Sequence, residues 1–229
     1  YWHGGTSRIS PEAPVPVVIA LQQHAQGLVW LISQYADACI YNVQGVYSTA
    51  SIRQPHVLGD EALAFFPRRL GEQMGQEVLL TAAEYSGAQL QQRGSGVRAV
   101  PGDQVVADAM ALAAALARFP RQVWAAHKVA DALVVPRSLA LEEWPEGAVE
   151  EAVEASVLAE PQDLGLASQV VSATLHPEGI VVVKLEDRAA RNMFSDELIA
   201  GMEEAFTRVR ELPESKVVIL IGYDSYFAS

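Results

Sequence analysis

Two adjacent residues, Asp60 and Glu61, are the best carboxylate candidates for proton transfer in this sequence. They follow Gly59 and precede an apolar stretch that begins at Ala62. Burial of either carboxylate in an apolar pocket would raise its pKa, which suits a general base that moves a proton next to a carbonyl group. Alternatively, both residues charge the first turn of a helix that begins after Gly59, where the helix dipole favours negative charge. The sequence leaves both interpretations open.

Histidines are the other groups that exchange protons near neutral pH. His3 stands beside Gly4 and Gly5, and its two interpretations are an acid–base group and an exposed residue of the terminus. His24 lies just before a glycine-containing turn at residues 26–27. We expect it either to make a structural hydrogen bond or to face a substrate pocket.

The composition describes a globular chain that can bury a hydrophobic core without covalent cross-links. It has 229 residues, of which 50% are hydrophobic and 19% are charged. The single cysteine, Cys39, excludes a disulfide framework and a multi-cysteine zinc site, and together with the lack of a recognisable signal peptide it predicts a cytoplasmic location. A net charge of −12 argues against a nucleic-acid surface. The apolar runs are too short to span a membrane.

The last fifty residues predict a strand–helix–strand unit. Apolar, β-branched runs at 180–185 and 217–222 indicate two buried strands. Between them, apolar residues recur at helical spacing, Ser195 is placed to cap the helix, and Pro213 ends it. The two strands are expected to be parallel, because a helical crossover joins them.

The same alternation appears nearer the start of the chain and predicts an α/β fold. A strand is expected at Val17–Leu21, a helix at about 28–38 and a strand at 38–42. Further helices are expected at 103–118 and from Pro120 to about 158. Prolines and glycines give residues 159–178 the composition of a linker.

Four stretches of sequence carry a family resemblance. They are PVVIALQQHAQG at 16–27, the run from Pro67 to Gly94, EDRAARNMFSDEL at 186–198 and GYDSYFAS at 222–229. Together they resemble the crotonase (enoyl-CoA hydratase/isomerase) superfamily, and most closely the decarboxylating crotonases of bacterial polyketide β-branching cassettes. The resemblance implies a crotonase-like spiral of ββα turns with C-terminal helices that form a trimer.

The resembling segments stand in an unusual order. Residues 179–229 are similar to the N-terminal ββα part of a crotonase domain, whereas residues 1–158 are similar to its middle and C-terminal part, with 159–178 as the linker. The start, 1–6, looks like a second copy of the loop at the C-terminus. We interpret this order as a circular permutation or as a segment cut from a tandem array.

The resemblance also implies an oxyanion hole. In this family two backbone N–H groups polarise a thioester carbonyl and stabilise the enolate that forms. The second donor matches Leu28, and the first matches Gly5 or a residue beyond Ser229. Leu28 and Val29 replace glycines of the family, so two side chains are added where the thioester must lie.

The catalytic side chains of the family are replaced in this sequence. Leu31 and Ser51 match the two glutamates of the hydratases, which argues against addition of water by that mechanism. Ser7 and Ala130 match the lysine and histidine of the decarboxylating members. His127, about one turn before Ala130, is a candidate for a relocated imidazole.

A pocket wall is implied by two further positions. His56 lies in a stretch that matches the active-site wall, and Trp30 is interpreted as part of the core or of this wall. With His24 as a further possible pocket residue, and with Asp60, Glu61, His127, Gly5 and Leu28, these residues make up the predicted site.

Two functions follow from these comparisons. The first is an isomerase or a decarboxylating lyase that acts through an enolate on an acyl chain carried as a phosphopantetheine or coenzyme A thioester, with an acyl carrier protein as partner. The second is a catalytically inactive domain that serves as a scaffold or docks a carrier protein in a megasynthase. Both predict a homotrimer, with no metal, no other cofactor and no contact with nucleic acid or membrane.

Overall fold

A computed structural model describes residues 13–50, 60–125, 160–193, 195–224 and 227. Its strands are β1 (Val17–Leu21), β2 (Ala25–Gln26), β3 (Ala38–Asn42), β4 (Val46–Ser48), β5 (Tyr85–Ser86), β6 (Arg98–Val100), β7 (Gln162–Asp163), β8 (Val171–His176), β9 (Ile180–Leu185) and β10 (Val217–Ile221). Its helices are α1 (Leu28–Ser33), α2 (Asp60–Leu70), α3 (Glu72–Thr81), α4 (Gly87–Arg93), α5 (Val105–Ala117) and α6 (Asp196–Glu211).

Seven strands of the described chain form one sheet in the order β6-β3-β1-β10-β9-β8-β7. The first five are parallel to one another, and β8 and β7 run antiparallel to their neighbours. β1 lies at the centre of the five parallel strands, with Val18 opposite Ala38 of β3 and Ile219 of β10. Central parallel strands are covered on both faces, which explains why β1 and β10 are almost uniformly apolar.

Helices cover both faces of this sheet. Val18 and Ala20 of β1 pack on the side of α5, in a cluster that includes Ala109 and Leu112. The residues that alternate with them, such as Ile19, face the opposite side and join a larger cluster with α1, α2 and α6. The alternation follows from the two-residue period of a strand.

The predicted strand–helix–strand unit is confirmed. β9 and β10 are parallel and hydrogen-bonded, with Val181 opposite Val218. The hydroxyl of Ser195 accepts a hydrogen bond from the backbone N–H of Leu198 and caps α6. α6 ends two residues before Pro213, and its apolar stripe is buried. This unit packs directly on β1, because β10 is the neighbour of both β1 and β9.

The predictions for 28–38 and 159–178 need correction. α1 ends at Ser33, and residues 34–37 form turns in which Ala36 N–H donates to Ser33 O. These turns bring the chain back so that β3 starts at Ala38 beside β1. Within the predicted linker, the described residues 160–178 are not irregular, because β7 and β8 extend the sheet from β9. Buried Val171 and Ala173 alternate with exposed Ser172, as expected for an outer strand with one packed face.

Several expectations concern residues outside the described ranges. They include the helices predicted after residue 125, the loop copy at 1–6 and the trimer-forming helices. The permuted order, the trimer and the domain limits therefore stay predictions. Of the described helices, none combines the length and the apolar composition required to span a bilayer.

Candidate active site

Loops from neighbouring strands meet at one edge of the sheet. Because β9, β10, β1 and β3 are parallel, the loops that follow them all begin at their carboxyl ends. Ile221, the last residue of β10, lies opposite Ala20 of β1. The segments that begin at residues 22 and 222 are thus neighbours, and the segment that begins at residue 186 lies on the other side of β10. Ligands of parallel α/β sheets bind at this edge.

The N-terminus of α1 opens at this edge. Gly27 precedes the helix with φ 61° and ψ −130°, and it provides no side-chain cap. Its carbonyl accepts a hydrogen bond from Leu31 N–H at 3.1 Å, and its own N–H donates to Ser48 O at 2.7 Å. Among the described residues we find no acceptor for the backbone N–H of Leu28. An uncapped N–H at a helix start attracts developing negative charge.

The loop before α1 is fixed by two side chains. Nδ1 of His24 accepts a hydrogen bond from Val46 N–H at 3.0 Å, and the imidazole is otherwise exposed. The side-chain amide of Asn42 donates to Gln22 O at 2.6 Å. The structural interpretation of His24 is therefore confirmed, and its place in a substrate pocket stays a prediction.

Trp30 lies in an aromatic cluster beneath the N-terminus of α1. It is fully buried, with its ring centroid 4.9 Å from that of Phe66 and 5.9 Å from that of Tyr47. Within the described part of the chain, no acceptor meets the geometric criteria for a hydrogen bond from its indole N–H. The core interpretation of Trp30 is confirmed, whereas a contact with substrate stays a prediction.

Buried groups near α1 are poorly suited to proton transfer at neutral pH. Burial raises the pKa of the Cys39 thiol to about 12, and the thiol donates a hydrogen bond to Ser33 O at 3.0 Å. Burial likewise raises the pKa values of the Tyr41 and Tyr47 hydroxyls. Leu31, which the sequence resemblance aligns with one glutamate of the hydratases, is 5% exposed and packs in the core.

The loop after β9 contains a polar network that the sequence analysis missed. Asp187 is 3% exposed and accepts hydrogen bonds from Ser195 Oγ at 2.6 Å and Ala190 N–H at 2.8 Å. The hydrogen bond from Ser195 is the main reason that the pKa of this carboxyl lies below its ordinary value. Asn192, which is fully buried, connects the network to Phe227. Asn192 has a positive φ, a conformation that asparagine adopts more readily than most residues. The asparagine itself is therefore the only signal of this turn in the sequence.

Charged side chains form the outer rim of the same edge. Arg188 pairs with Asp224 at 2.6 Å and with Glu186 at 2.7 Å, and its guanidinium lies 4.5 Å from the ring centroid of Tyr223. The hydrogen bond to Asp224, followed by that to Glu186, raises the pKa of Arg188. This rim joins the loops after β9 and β10, but exposed pairs stabilise a protein by only about 0–1 kcal/mol.

The structure places part of the predicted site. Leu28 and the loop of His24 lie together at the carboxyl edge, with Trp30 below them. Asp60 and Glu61 occupy the first turn of α2, so a helix does begin after Gly59, and their side chains lie outside the described part. Gly5, His56 and His127 are also outside it. Among the described residues, no cluster of three or more histidine, cysteine, aspartate or glutamate side chains is arranged to hold a metal ion.

A model of the Enoyl-CoA hydratase/isomerase family matches residues 8–145 and 176–229. The chain belongs to this family. The two matched stretches contain every strand of the main sheet except β7 and part of β8. The predicted family and its mixed α/β fold are thus confirmed for this crotonase-type chain.

Individual relatives point to one branch of the family. Over 125 residues, the chain is 33% identical to the bacillaene synthase decarboxylase PksI of Bacillus subtilis (strain 168). The matched segment covers 55% of this chain and 49% of that protein. The chain therefore spans about half the length of this relative. A solved structure of a dehydratase/decarboxylase enzyme couple involved in polyketide β-branching is 31% identical, with a TM-score of 0.51 over 58% of this chain and 53% of that one.

A second solved structure supports the fold. A variant of the ECH2 decarboxylase domain of CurF from Lyngbya majuscula matches with a TM-score of 0.53 and 22% identity, over 67% of this chain and 61% of that one. The relatives of this crotonase-type chain thus include enzymes of polyketide β-branching.

Proposed function

We propose that this chain belongs to an enzyme of polyketide β-branching that acts on an acyl chain carried as a thioester on an acyl carrier protein. The reaction is loss of CO₂ or migration of a double bond, and both pass through an enolate. The observation that carries the proposal is the uncapped start of α1 at the carboxyl edge of β1 and β10, where the Leu28 N–H is available to an oxyanion. The likeness to PksI supports decarboxylation in particular.

Decarboxylation suits this site because it begins without removal of a proton. A substrate with a carboxylate on the α carbon, or on the γ carbon of an α,β-unsaturated chain, loses CO₂ when the carbon–carbon bond breaks. The bonding electrons move into the thioester carbonyl, whose oxygen becomes an oxyanion. Fixed N–H donors stabilise this charge by a few kcal/mol. A proton delivered to carbon then restores the carbonyl, so the site needs a proton donor and an oxyanion hole.

Addition of water is a poorer fit. It requires a group that activates water, and Leu31 occupies one of the positions from which the family does so, buried and without an ionisable group. We propose Glu61 and His127, with Asp60 as a further carboxylate, as the groups that deliver or move the proton. Gly5, or a residue beyond Ser229, is the proposed partner of Leu28 in the oxyanion hole, with His56 in the pocket wall.

The substrate thioester is expected on phosphopantetheine or coenzyme A, and the protein itself needs no further cofactor in this mechanism. Incubation of the protein with carrier-bound acyl chains that carry an α- or γ-carboxylate tests the proposal directly. We expect mass spectrometry of the carrier protein to detect a product lighter by one CO₂. Unsaturated chains without the carboxylate report isomerisation. Absence of turnover with all of these substrates would contradict the proposal and favour a scaffold.

Two substitutions test the assignment of the proton-transfer groups. Glu61→Gln and His127→Ala are each expected to lower the rate by about 10²- to 10⁴-fold, the usual effect of removing a working general acid or base. Glu72→Gln, at the exposed first turn of α3, is the matched control for the carboxylate. His176→Ala is the control for the imidazole, because His176 pairs with Ile180 at the opposite edge of the sheet. Unchanged rates for both Glu61→Gln and His127→Ala would refute the assignment.

A further inference from the structure

Asn192 uses its whole side-chain amide inside the protein. Oδ1 accepts a hydrogen bond from Asp187 N–H at 2.7 Å, and Nδ2 donates to Leu185 O at 3.0 Å and to Phe227 O at 2.8 Å. The residue is 0% exposed. Its backbone N–H also donates to Asp187 O at 2.8 Å. A buried amide with all these partners is costly to replace, since each orphaned group loses its compensation for desolvation.

The partners of Asn192 belong to different elements. Leu185 ends β9, and Asp187 is linked through Ser195 to the N-terminus of α6. Phe227, in contrast, follows β10 and is 35 residues away along the chain. Nδ2 therefore ties the backbone after β10 to the backbone at the end of β9. The side chain of Phe227 is also buried in the core, so this segment is held by its carbonyl and by its ring.

We propose that Asn192 is a positioning residue that fixes the backbone after β10, at Phe227, on the edge of the sheet where α1 also begins. This inference rests on the proposed function, because the oxyanion of that reaction forms at this edge. The outer pair between Arg188 and Asp224 holds the same segment, but it is exposed and therefore weaker. The buried amide, not the ion pair, determines where the backbone lies.

Two substitutions distinguish the contribution of the Asn192 side-chain amide from that of its backbone conformation. Asn192 has φ 53°, and Arg191 beside it has the same φ. Asn192→Gly permits this conformation and removes all three side-chain hydrogen bonds. In Asn192→Asp, the carboxylate can still accept the hydrogen bond from Asp187 N–H, but it has no N–H to donate to the carbonyls of Leu185 and Phe227. Arg191→Gly is the matched control, because it makes the same backbone change at an exposed side chain.

Two measurements test the role of Asn192. Steady-state kinetics on the decarboxylation substrate is expected to show kcat lowered by about 10²-fold in both Asn192 variants with KM little changed, because misplacement by about 1 Å has an effect of that size. Hydrogen exchange is expected to become faster at residues 222–227 in both variants and to stay unchanged there in Arg191→Gly. Val209→Ala, a core change in α6, shows the effect of lower stability alone.

The outcomes distinguish this proposal from the proposed function. If the unmodified protein turns over no substrate, the proposed function fails, and the exchange rates at 222–227 still decide whether Asn192 holds the loop. Unchanged exchange there, or normal kcat in the variants of an active protein, would overturn the proposal. Global unfolding of both Asn192 variants under conditions where Val209→Ala remains folded would also overturn it, since Asn192 would then be needed for the whole fold.

Discussion

Asp187 illustrates how a single buried carboxylate stabilises the edge of this sheet. Its oxygens accept hydrogen bonds from the Ser195 hydroxyl and the Ala190 N–H, and these bonds favour the charged form. Because the pKa in the folded state lies below the unfolded value of about 3.9, the stabilisation is fully present above about pH 4. It is lost as the pH falls further through the folded-state pKa. Acid should therefore loosen the loop after β9 and the start of α6.

Asp187→Asn tests this dependence on pH. We expect the free energy of unfolding at neutral pH to fall by about 1–3 kcal/mol, because one donor loses its acceptor in a buried site. The variant should also lose less further stability than the parent protein when the pH is lowered below about 4. Urea unfolding between about pH 3 and pH 7 measures both effects. Asp103→Asn, at an exposed carboxylate, is the control, and an equal effect from the two substitutions would contradict this account.

At the scale of elements, the start of α1 depends on Gly27. Its φ of 61° with ψ of −130° lies in a region that residues with a side chain avoid, at a cost of about 1–3 kcal/mol. This conformation directs the chain from the loop after β1 into α1, so that the helix begins at the carboxyl edge. The position of the Leu28 N–H is consequently sensitive to the residue at 27.

Gly27→Ala is expected to reduce both stability and turnover. The strain should lower the free energy of unfolding by about 1–3 kcal/mol. Displacement of the Leu28 N–H should lower kcat by about 10²-fold or more, as for the loss of one oxyanion donor. Gly165→Ala is the matched control, because Gly165 also has φ 61° but lies in open space between β7 and β8. Turnover of Gly27→Ala that matches Gly165→Ala would exclude the proposed role of Leu28.

At the scale of the whole molecule, the loops that follow the five parallel strands all begin at one edge. The antiparallel β7 and β8 extend the sheet on the far side of β9. Exposed apolar side chains follow the C-terminus of α5, at Phe119 and Val123. Arg121 fixes this region by donating hydrogen bonds to the Ser215 hydroxyl at 2.8 Å and to Arg210 O at 3.1 Å. Residues 121–125 are helical, and this short segment is therefore anchored to the end of α6.

We expect the protein to form a homotrimer in which the helix after Arg121 contributes contacts, as its family resemblance implies. Multi-angle light scattering at micromolar concentration should give the mass of three chains. Val123→Glu should reduce that mass, because a charge at an apolar contact loses hydration without a partner. Leu80→Glu, at the exposed surface of α3, should leave the mass unchanged. The mass of a single chain for the unmodified protein would contradict the prediction.

Local patterns in the sequence were sufficient to predict the elements that build the central sheet. β1, β3, β9 and β10 are short apolar runs, and α6 has an apolar stripe and a capping serine. Each of these signals involves residues within a few positions of one another, so it can be recognised before the fold is known. The family resemblance, carried by contiguous stretches, is predictable for the same reason.

Contacts between distant residues decided the remaining features. The hydrogen bond from Asn192 to Phe227 crosses 35 residues and leaves no period in the sequence. The prolines and glycines that flank β8, such as Pro161, Gly165 and Pro177, give the region the composition of a linker, and only pairing with β9 makes 171–176 a strand. α1 stops at Ser33 because the chain has to return to the side of β1, where Asp37 binds the Val17 N–H at 2.7 Å. Such features cannot be recognised from nearby residues in the sequence. The fold determines which groups become hydrogen-bond partners and which side chains are buried.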